Sequence, residues 1–311
     1  MKTRVCQASD GVAEAVSLLA AGEPVALPTE TVYGLAANAL SPLACAKIFE
    51  AKERPLSDPL IVHLPDNSWL ARLATPNPLA VALTDAFWPG PLTLVLKRTA
   101  LVPDIVTDGL DSVAVRRSAH PIYQQVVETF GKPLAAPSAN RFGRISPTTA
   151  THVVAELDGR IPLVVDAGPC THGIESTIVE IIDDRLRILR QGPITADELK
   201  AFAPIDGTPG STPAPGGMKS HYAPRTRLVI EANPRPSTEN HGLLAWESSG
   251  NGFARVERLS PSQDLREAAA SLYGAMRRLD DSGLDLITAE PVPETGIGAA
   301  IMDRLRKAAA R

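Results

Sequence analysis

The chain reads as an α/β protein in two units, the larger with a mixed sheet and the smaller an open α/β unit with a parallel sheet. Three observations predict this. Strand-type and helix-period apolar segments interleave along the first two thirds of the 311 residues, the pattern of mixed rather than segregated folds. Residues 204–224 hold five prolines and four glycines, a composition that blocks helix and sheet and gives a semi-rigid connector. Beyond it a shorter strand–helix alternation follows. The expected divisions are a first unit over 1–203, a linker over 204–226 and a second unit over 227–311.

Each element has a local reason. Asp10 can cap a helix that carries Val12, Val16 and Leu19 on one face. Val25–Leu27 is a strand, and Ser41-Pro42 supplies an N-cap and first-turn proline for a helix through Ile48 to Lys52. Leu60–Leu64, Leu92–Leu96 and Val113–Arg116 read as strands, Pro121–Phe130 as a helix, and Leu134–Pro137 as a short strand entering a polar loop. Ser146-Pro147 starts a further helix; Leu163–Val165 and Thr177–Ile182 are strands, the latter pairing with Leu186–Leu189. Thr195 and Glu198 form a capping box. In the second unit Leu228–Ile230, Leu243–Trp246 and Leu284–Thr288 are strands. Leu265, Ala269, Leu272, Met276 and Leu279 line one helical face, and Ile297–Lys307 is helical.

Composition excludes several classes. Hydrophobic residues at 44% and charged residues at 21% provide each unit with its own core. A net charge of −4 argues against a chain that binds nucleic acid along its whole surface. Aromatics at 4% argue against a stacking platform for single strands. Cys6, Cys45 and Cys170 are too far apart for a disulfide framework or a zinc spacing, which fits a protein of the reducing cytoplasm. No run reaches membrane-spanning length. The first 22 residues include Asp10 and Glu14 and lack the continuous apolar stretch of a secretory signal.

Four constellations can carry chemistry. Lys52 and Arg54, braced by Pro55, can grip a polyphosphate; the plain alternative is a solvated helix end, where cations complement the dipole. Thr29, Glu30, Thr31, Tyr33 and Gly34 follow an apolar strand and suggest a polar pocket at a sheet edge. Ser138, Asn140 and Gly143 in a strand-to-helix loop can offer donors to an anion, or simply form a capped loop. Glu175, Ser176 and Thr177 open a strand behind Gly173, which suits substrate hydrogen bonding as well as an ordinary turn. Arg116 closes its strand and can meet a carboxylate or phosphate, while Arg117 points to the other side. His63 in its apolar strand reads first as a hydrogen-bonded core residue. Cys170 and His172 find no partners at metal spacing. Gly131-Lys132 lacks the glycine loop of a phosphate-binding loop, and Gly296-Ile-Gly298 has Ile301 where a dinucleotide turn needs glycine. Any nucleotide must be held by a different device.

Together these stretches resemble the Sua5/YrdC family, the L-threonylcarbamoyladenylate synthases, in its long two-domain form. The matching residues are PTETVYGL (28–35), Lys52 and Arg54, DPLIVHL (58–64), FWPGPLTLVL (87–96), VAVR (113–116), APSAN (136–140), SPT (146–148), ESTIVE (175–180), ILRQG (188–192) and PGGMKSHYAP (215–224). The resemblance implies a YrdC-like twisted mixed sheet followed by a Rossmann-like Sua5 domain. It implies a nucleotidyltransferase that makes threonylcarbamoyl-AMP from L-threonine, bicarbonate or CO2, and ATP with Mg2+, releasing pyrophosphate. The product would pass to the complex that builds threonylcarbamoyladenosine beside the tRNA anticodon, with at most weak tRNA contact and no membrane.

Carried onto this chain, the resemblance assigns Lys52, Arg54, Ser138 and Asn140 to catalysis and the ATP phosphates. Asp58, Ser112, Ser146, Arg190, His221 and Tyr222 join the ATP set, the last two as part of a flap. Thr31, His63, Arg116, Ala136 and Ser176 form the threonine set. The chemistry agrees, because in-line attack on a phosphate needs positioned cations and hydroxyls more than a nucleophilic side chain. An RNA-binding or ribosome-assembly module, a carbamoyl transferase of the hydrogenase-maturation kind, and a structural scaffold stay open as alternatives.

Overall fold

The computed structural model describes residues 2–207 and 221–310. Most of the expected linker, including Pro215–Ser220 of the PGGMKSHYAP stretch, lies outside the described residues.

The first unit carries β1 (Arg4–Gln7), α1 (Ala8–Ala20), β2 (Val25–Leu27), β3 (Gly34–Asn38), α2 (Pro42–Lys52) and β4 (Ile61–His63). There follow α3 (Leu70–Leu73), α4 (Pro78–Phe87), β5 (Leu92–Lys97), α5 (Asp104–Thr107), β6 (Ser112–Arg116), α6 (Pro121–Phe130) and β7 (Leu134–Ala135). It ends with α7 (Ala150–Leu157), β8 (Leu163–Asp166), β9 (Thr177–Ile182), β10 (Arg185–Arg190) and α8 (Ala196–Lys200). The ten strands form one sheet in the order β1-β8-β2-β3-β7-β4-β6-β5-β9-β10. Pairs such as β4–β6 and β5–β9 are parallel, whereas β2–β3, β5–β6 and β9–β10 are antiparallel. The expected mixed sheet is therefore present.

The second unit carries β11 (Arg227–Ile230), β12 (His241–Ala245), β13 (Arg255–Arg258), α9 (Leu265–Asp280), β14 (Leu286–Ala289) and α10 (Gly298–Ala309). Its four strands are ordered β11-β14-β12-β13 and all pair in parallel. One apolar cluster joins the units: Val32, Ile145, Ile174 and Tyr222 pack with Leu272, Tyr273, Met276, Ile301 and Leu305. Gly173 permits this approach. It sits in the left-handed region at φ +71°, and a Cβ there would stand 2.5 Å from the Ala270 backbone.

Local signals explain where the sequence reading held and where it slipped. Ser41 accepts from the Ala44 N–H with Pro42 in the first turn, and Thr195 and Glu198 form both bonds of the capping box. Asp10 lies within the first turn of α1 instead of capping it, because β1 feeds the helix directly through Gln7. Ser146-Pro147 does not start a helix. Thr149 caps α7, while the Pro147 and Thr148 carbonyls accept from Tyr33 and Cys170, holding that stretch extended. The PTET segment also lies at no sheet edge: β2 and β3 are interior strands, and the pocket opens at their ends.

Candidate active site

Strand register lays out a floor for the site. Alternation puts residues two apart on one face. On that face His63 pairs with Arg116, Arg116 with Thr93, and Thr93 with Ile178. The next row is Ile61, Ala114, Val95 and Glu180, and beyond it Ser112 faces Lys97. The first row is mainly polar, the second mostly apolar. Above the first row lies a cavity with about 540 Å³ of empty space, mouth included. Its wall includes Thr31, Arg54, His63, Arg116, Ala136, Ser138, Glu175, Arg190, His221 and Tyr222.

At one end stands Arg116, buried at the end of β6. Its Nε donates to the Gly90 carbonyl at 3.2 Å, Nη1 to Thr31 Oγ1 at 3.0 Å and Nη2 to Glu30 Oε1 at 2.6 Å. The Ser118 hydroxyl donates to the other Glu30 oxygen. Burial pushes the Glu30 carboxyl up, but the Arg116 charge and these hydrogen bonds prevail and hold it at about 2. Arg116 is thus not the open cation that its strand-end position suggests. Three of its five N–H groups are occupied, and its charge is matched by Glu30. His63 packs against Tyr123 with ring centroids 4.8 Å apart and the rings tilted by 42°. Burial and the nearby Arg116 push it down to about 3, so it is a neutral imidazole, and its buried Nδ1 has no partner.

The other end is cationic. Arg54 is buried, bonds the Asp58 and Pro59 carbonyls, and pairs with Asp58 Oδ2 at 2.9 Å. Lys52 is only 1% exposed, which rules out the solvated helix end. Its Nζ donates to the Ser138 and Asn140 carbonyls, each at 2.5 Å, and so fastens the S-x-N loop to α2. Burial drives its pKa well below the usual lysine value. Arg190 donates to the Ser176 carbonyl and hydroxyl, each at 3.0 Å, and Ser176 in turn meets Thr93 at 2.8 Å. Glu175 pairs with Arg304 of α10 at 2.8 Å and accepts from the Tyr273 hydroxyl of α9 at 2.9 Å. Burial pushes Glu175 up, yet Arg304 and Arg190 hold it at about 2. Asn140 Oδ1, His221 Nδ1 and Tyr222 Oη are buried without hydrogen-bond partners, so each retains hydrogen-bonding capacity, while Ser146 faces Glu175.

Most of the expected residues therefore converge. Asp58 serves as the carboxylate partner of Arg54. Ala136 lines the wall beside Gly34. Ser112 is separate: it shares the face of Arg116 but lies about 13 Å along the strand, four residues at ~3.3 Å each, in an open groove with Lys97 and Thr75. Sequence reasoning placed Glu30 and Glu175 in polar stretches but not as the partners of Arg116 and Arg304, and gave no role to Ser118, Tyr273 or Arg304. Arg304 had a signal, since it interrupts the apolar stripe Ile297, Ile301, Leu305, Ala308 of its helix.

Residues 17–192 match the family uniting Sua5, YciO and YrdC, described as "Telomere recombination", and residues 194–310 match "Threonylcarbamoyl-AMP synthase, C-terminal domain". The threonylcarbamoyl-AMP synthase of Bacillus subtilis is 43% identical over 96% of this chain and 92% of its own length. That of Pyrococcus abyssi is 39% identical over 94% and 92%. The crystal structure of P. abyssi Sua5 complexed with L-threonine matches at TM-score 0.90 and 36% identity, covering 99% of this chain and 98% of that one. Full-length HypF in its phosphate- and nucleotide-bound form, at 20% identity and TM-score 0.53, shares the fold over 59% of this chain and 30% of that one.

Proposed function

The chain belongs to the Sua5–YciO–YrdC family, in the form that carries the synthase C-terminal domain, and we propose that it divides its reaction between the two ends of one cavity. The reaction is the synthesis of threonylcarbamoyl-AMP, with L-threonine and ATP as substrates. The observation that carries the division is charge. Arg116 is matched by Glu30, a nearly neutral setting that suits a zwitterion. Lys52, Arg54, Arg190 and Arg304 gather around Asp58 and Glu175, with Asp303 on the far side of Arg304, a cation-rich setting that suits a polyphosphate.

Threonine sits at the Arg116 end. Its carboxylate takes the two N–H groups that Arg116 has left, with Thr31, Ser176, His63 and Ala136 around it. The ammonium gives one proton to solvent, and the free amine adds to CO2; the proton released on forming the carbamate matches the one bicarbonate takes up as it loses water to give CO2. A carbamate oxygen then attacks the α-phosphorus in line, and pyrophosphate leaves toward Arg54, Arg190 and the S-x-N loop. Adenosine lies along the apolar second row toward Ser112, with His221 and Tyr222 closing the polyphosphate end. Positioning and charge stabilisation carry such a transfer without a protein nucleophile.

The described residues offer no cage for Mg2+. Asp58 and Glu175 are each held by an arginine, and no group of three or more His, Cys, Asp or Glu side chains suited to a metal occurs among the described residues. Magnesium therefore enters as part of the MgATP substrate. Residues 1–203 act as the catalytic unit, 204–226 as the linker, and 227–311 as the unit that backs the wall through Tyr273 and Arg304. The product passes to a separate transferase that modifies adenosine beside the tRNA anticodon. None of the described helices is long and apolar enough to cross a membrane.

The test is pyrophosphate release from ATP, with threonine and bicarbonate omitted in turn and the product weighed by mass spectrometry. Release that needs both, with threonylcarbamoyl-AMP formed, is the expected result. Release driven by carbamoyl phosphate instead would replace this reading with a carbamoyl transferase.

A further inference from the structure

We infer that Arg304, from the last helix of the second unit, is a positioning residue for the nucleotide: it neutralises Glu175 in the cavity wall and so lets that end accept a polyanion. The inference rests on the reading above that ATP phosphates occupy the Arg54 end.

Arg304 is the largest fully buried side chain among the described residues. Its Nε meets Glu175 at 2.8 Å, its Nη2 donates to the Gln191 carbonyl at 2.9 Å, and its Nη1 pairs with Asp303 at 2.6 Å. The guanidinium also stands 5.1 Å from the centre of the Tyr222 ring, and Tyr222 stacks on Tyr273. One side chain of the second unit thus holds a wall carboxylate, a wall aromatic ring and the backbone next to Arg190. Mere adhesion between the units needs no charge, because apolar residues of similar volume serve a buried interface as well or better. The partner is what gives the pair its meaning. Glu175 lines the cavity with Arg54 and Arg190. Without Arg304 its negative charge, left with Arg190 as the facing cation, would be turned toward the phosphates in a poorly solvated site, where charge interactions are strong.

The sequence of the first unit is thus incomplete for ATP. The motif residue Glu175 is tolerable there only because α9 and α10 supply Tyr273 and Arg304. The groups facing Glu175 are Arg190 of β10, Arg304 and Tyr273 of the second unit, Ser146 before α7, and His221 and Tyr222 near the end of the linker.

The test uses the full chain, with KM for ATP and for threonine measured separately by pyrophosphate release at about pH 8.5 and about pH 6.5, either side of neutrality. Arg304→Met is expected to raise the ATP KM about tenfold or more while the threonine KM moves less than about twofold, as loss of one countercharge predicts. The ATP defect should shrink at the lower pH, where the now unpaired Glu175 takes up a proton. Glu175→Gln/Arg304→Met, which removes both charges, should bring the ATP KM to within about threefold of the native value. It also decides the matter if the single variant does not fold. A folded double variant no better than Arg304→Met, or an Arg304→Met defect equal for both substrates and at both pH values, would overturn the inference. Arg54→Ala serves as the reference. If it leaves the ATP KM unchanged, the placement of ATP itself is wrong; if it raises the ATP KM while Arg304→Met does not, that placement stands and this inference falls.

Discussion

At one end of the cavity a single arginine is held by a single carboxylate, both from the first unit; at the other, several cations gather around Asp58 and Glu175, and one of them, Arg304, comes from the second unit together with its neighbour Asp303. The Arg116 end is assembled from β6, the PTET loop and Ser118, so its polar side chains all come from the first unit. The Arg54 end gathers α2, the S-x-N loop, β10, His221 and Tyr222 near the end of the linker, and α10. A neutral, preformed subsite and a cationic one assembled from two units suit substrates of different charge.

The largest expected effect breaks the neutral end. Arg116→Ala leaves Glu30 buried with only Ser118 as a side-chain partner and should cost about 3–5 kcal/mol, read as a lower urea midpoint, with threonine-dependent turnover lost. Adding Glu30→Gln should recover most of the stability but not the turnover. If the double variant regains turnover, Arg116 does not hold threonine.

Acid should weaken both ends together. Glu30 and Glu175 are held at about 2 against an ordinary 4.5. Depressed carboxylates contribute stability that is complete above pH 4.5 and is lost as the pH falls toward 2, ~3 kcal/mol for each. Urea midpoints measured down that range should fall steadily; a flat profile would mean that neither pair stabilises the fold.

Next comes the cationic end. Lys52→Met frees the Ser138 and Asn140 carbonyls and should raise the ATP KM about tenfold, as the loss of two charge-assisted bonds at one loop predicts. An equal rise in the threonine KM would show that the two ends are not separable. Tyr222→Phe removes a buried hydroxyl that has no hydrogen-bond partner. It should leave the melting temperature unchanged or slightly higher while raising the ATP KM by roughly fivefold, about one hydrogen bond. The smallest effect belongs to Ser112→Ala, at about twofold on the ATP KM, because that hydroxyl lies outside the enclosed cavity.

What was legible in the sequence follows the range of the forces. Pro121–Phe130 and the Thr195–Glu198 box are local patterns and stand where expected. β3 escaped notice because Gly34-Leu-Ala-Ala-Asn38 has no β-branched residue; it is a strand because β2 and β7 pair with it on either side. The convergence of Arg54, His63, Arg116, Ser138 and Arg190 on one cavity was legible through their motifs. Their charge partners were not. Glu30 reaches Arg116 across 86 positions, and Glu175 reaches Arg304 across 129. No short-range pattern encodes such pairs. The tie of Lys52 to the S-x-N loop is likewise a product of the fold: a lysine at a helix end usually meets water, and this one meets two carbonyls.

The difference in charge between the two ends is tested most directly by equilibrium binding of each substrate alone as salt is raised from about 50 to about 500 mM, which shortens the Debye length roughly threefold. The account predicts that MgATP affinity falls at least about tenfold while threonine affinity changes less than about twofold. Equal salt dependence for the two substrates, or a steeper one for threonine, would contradict it.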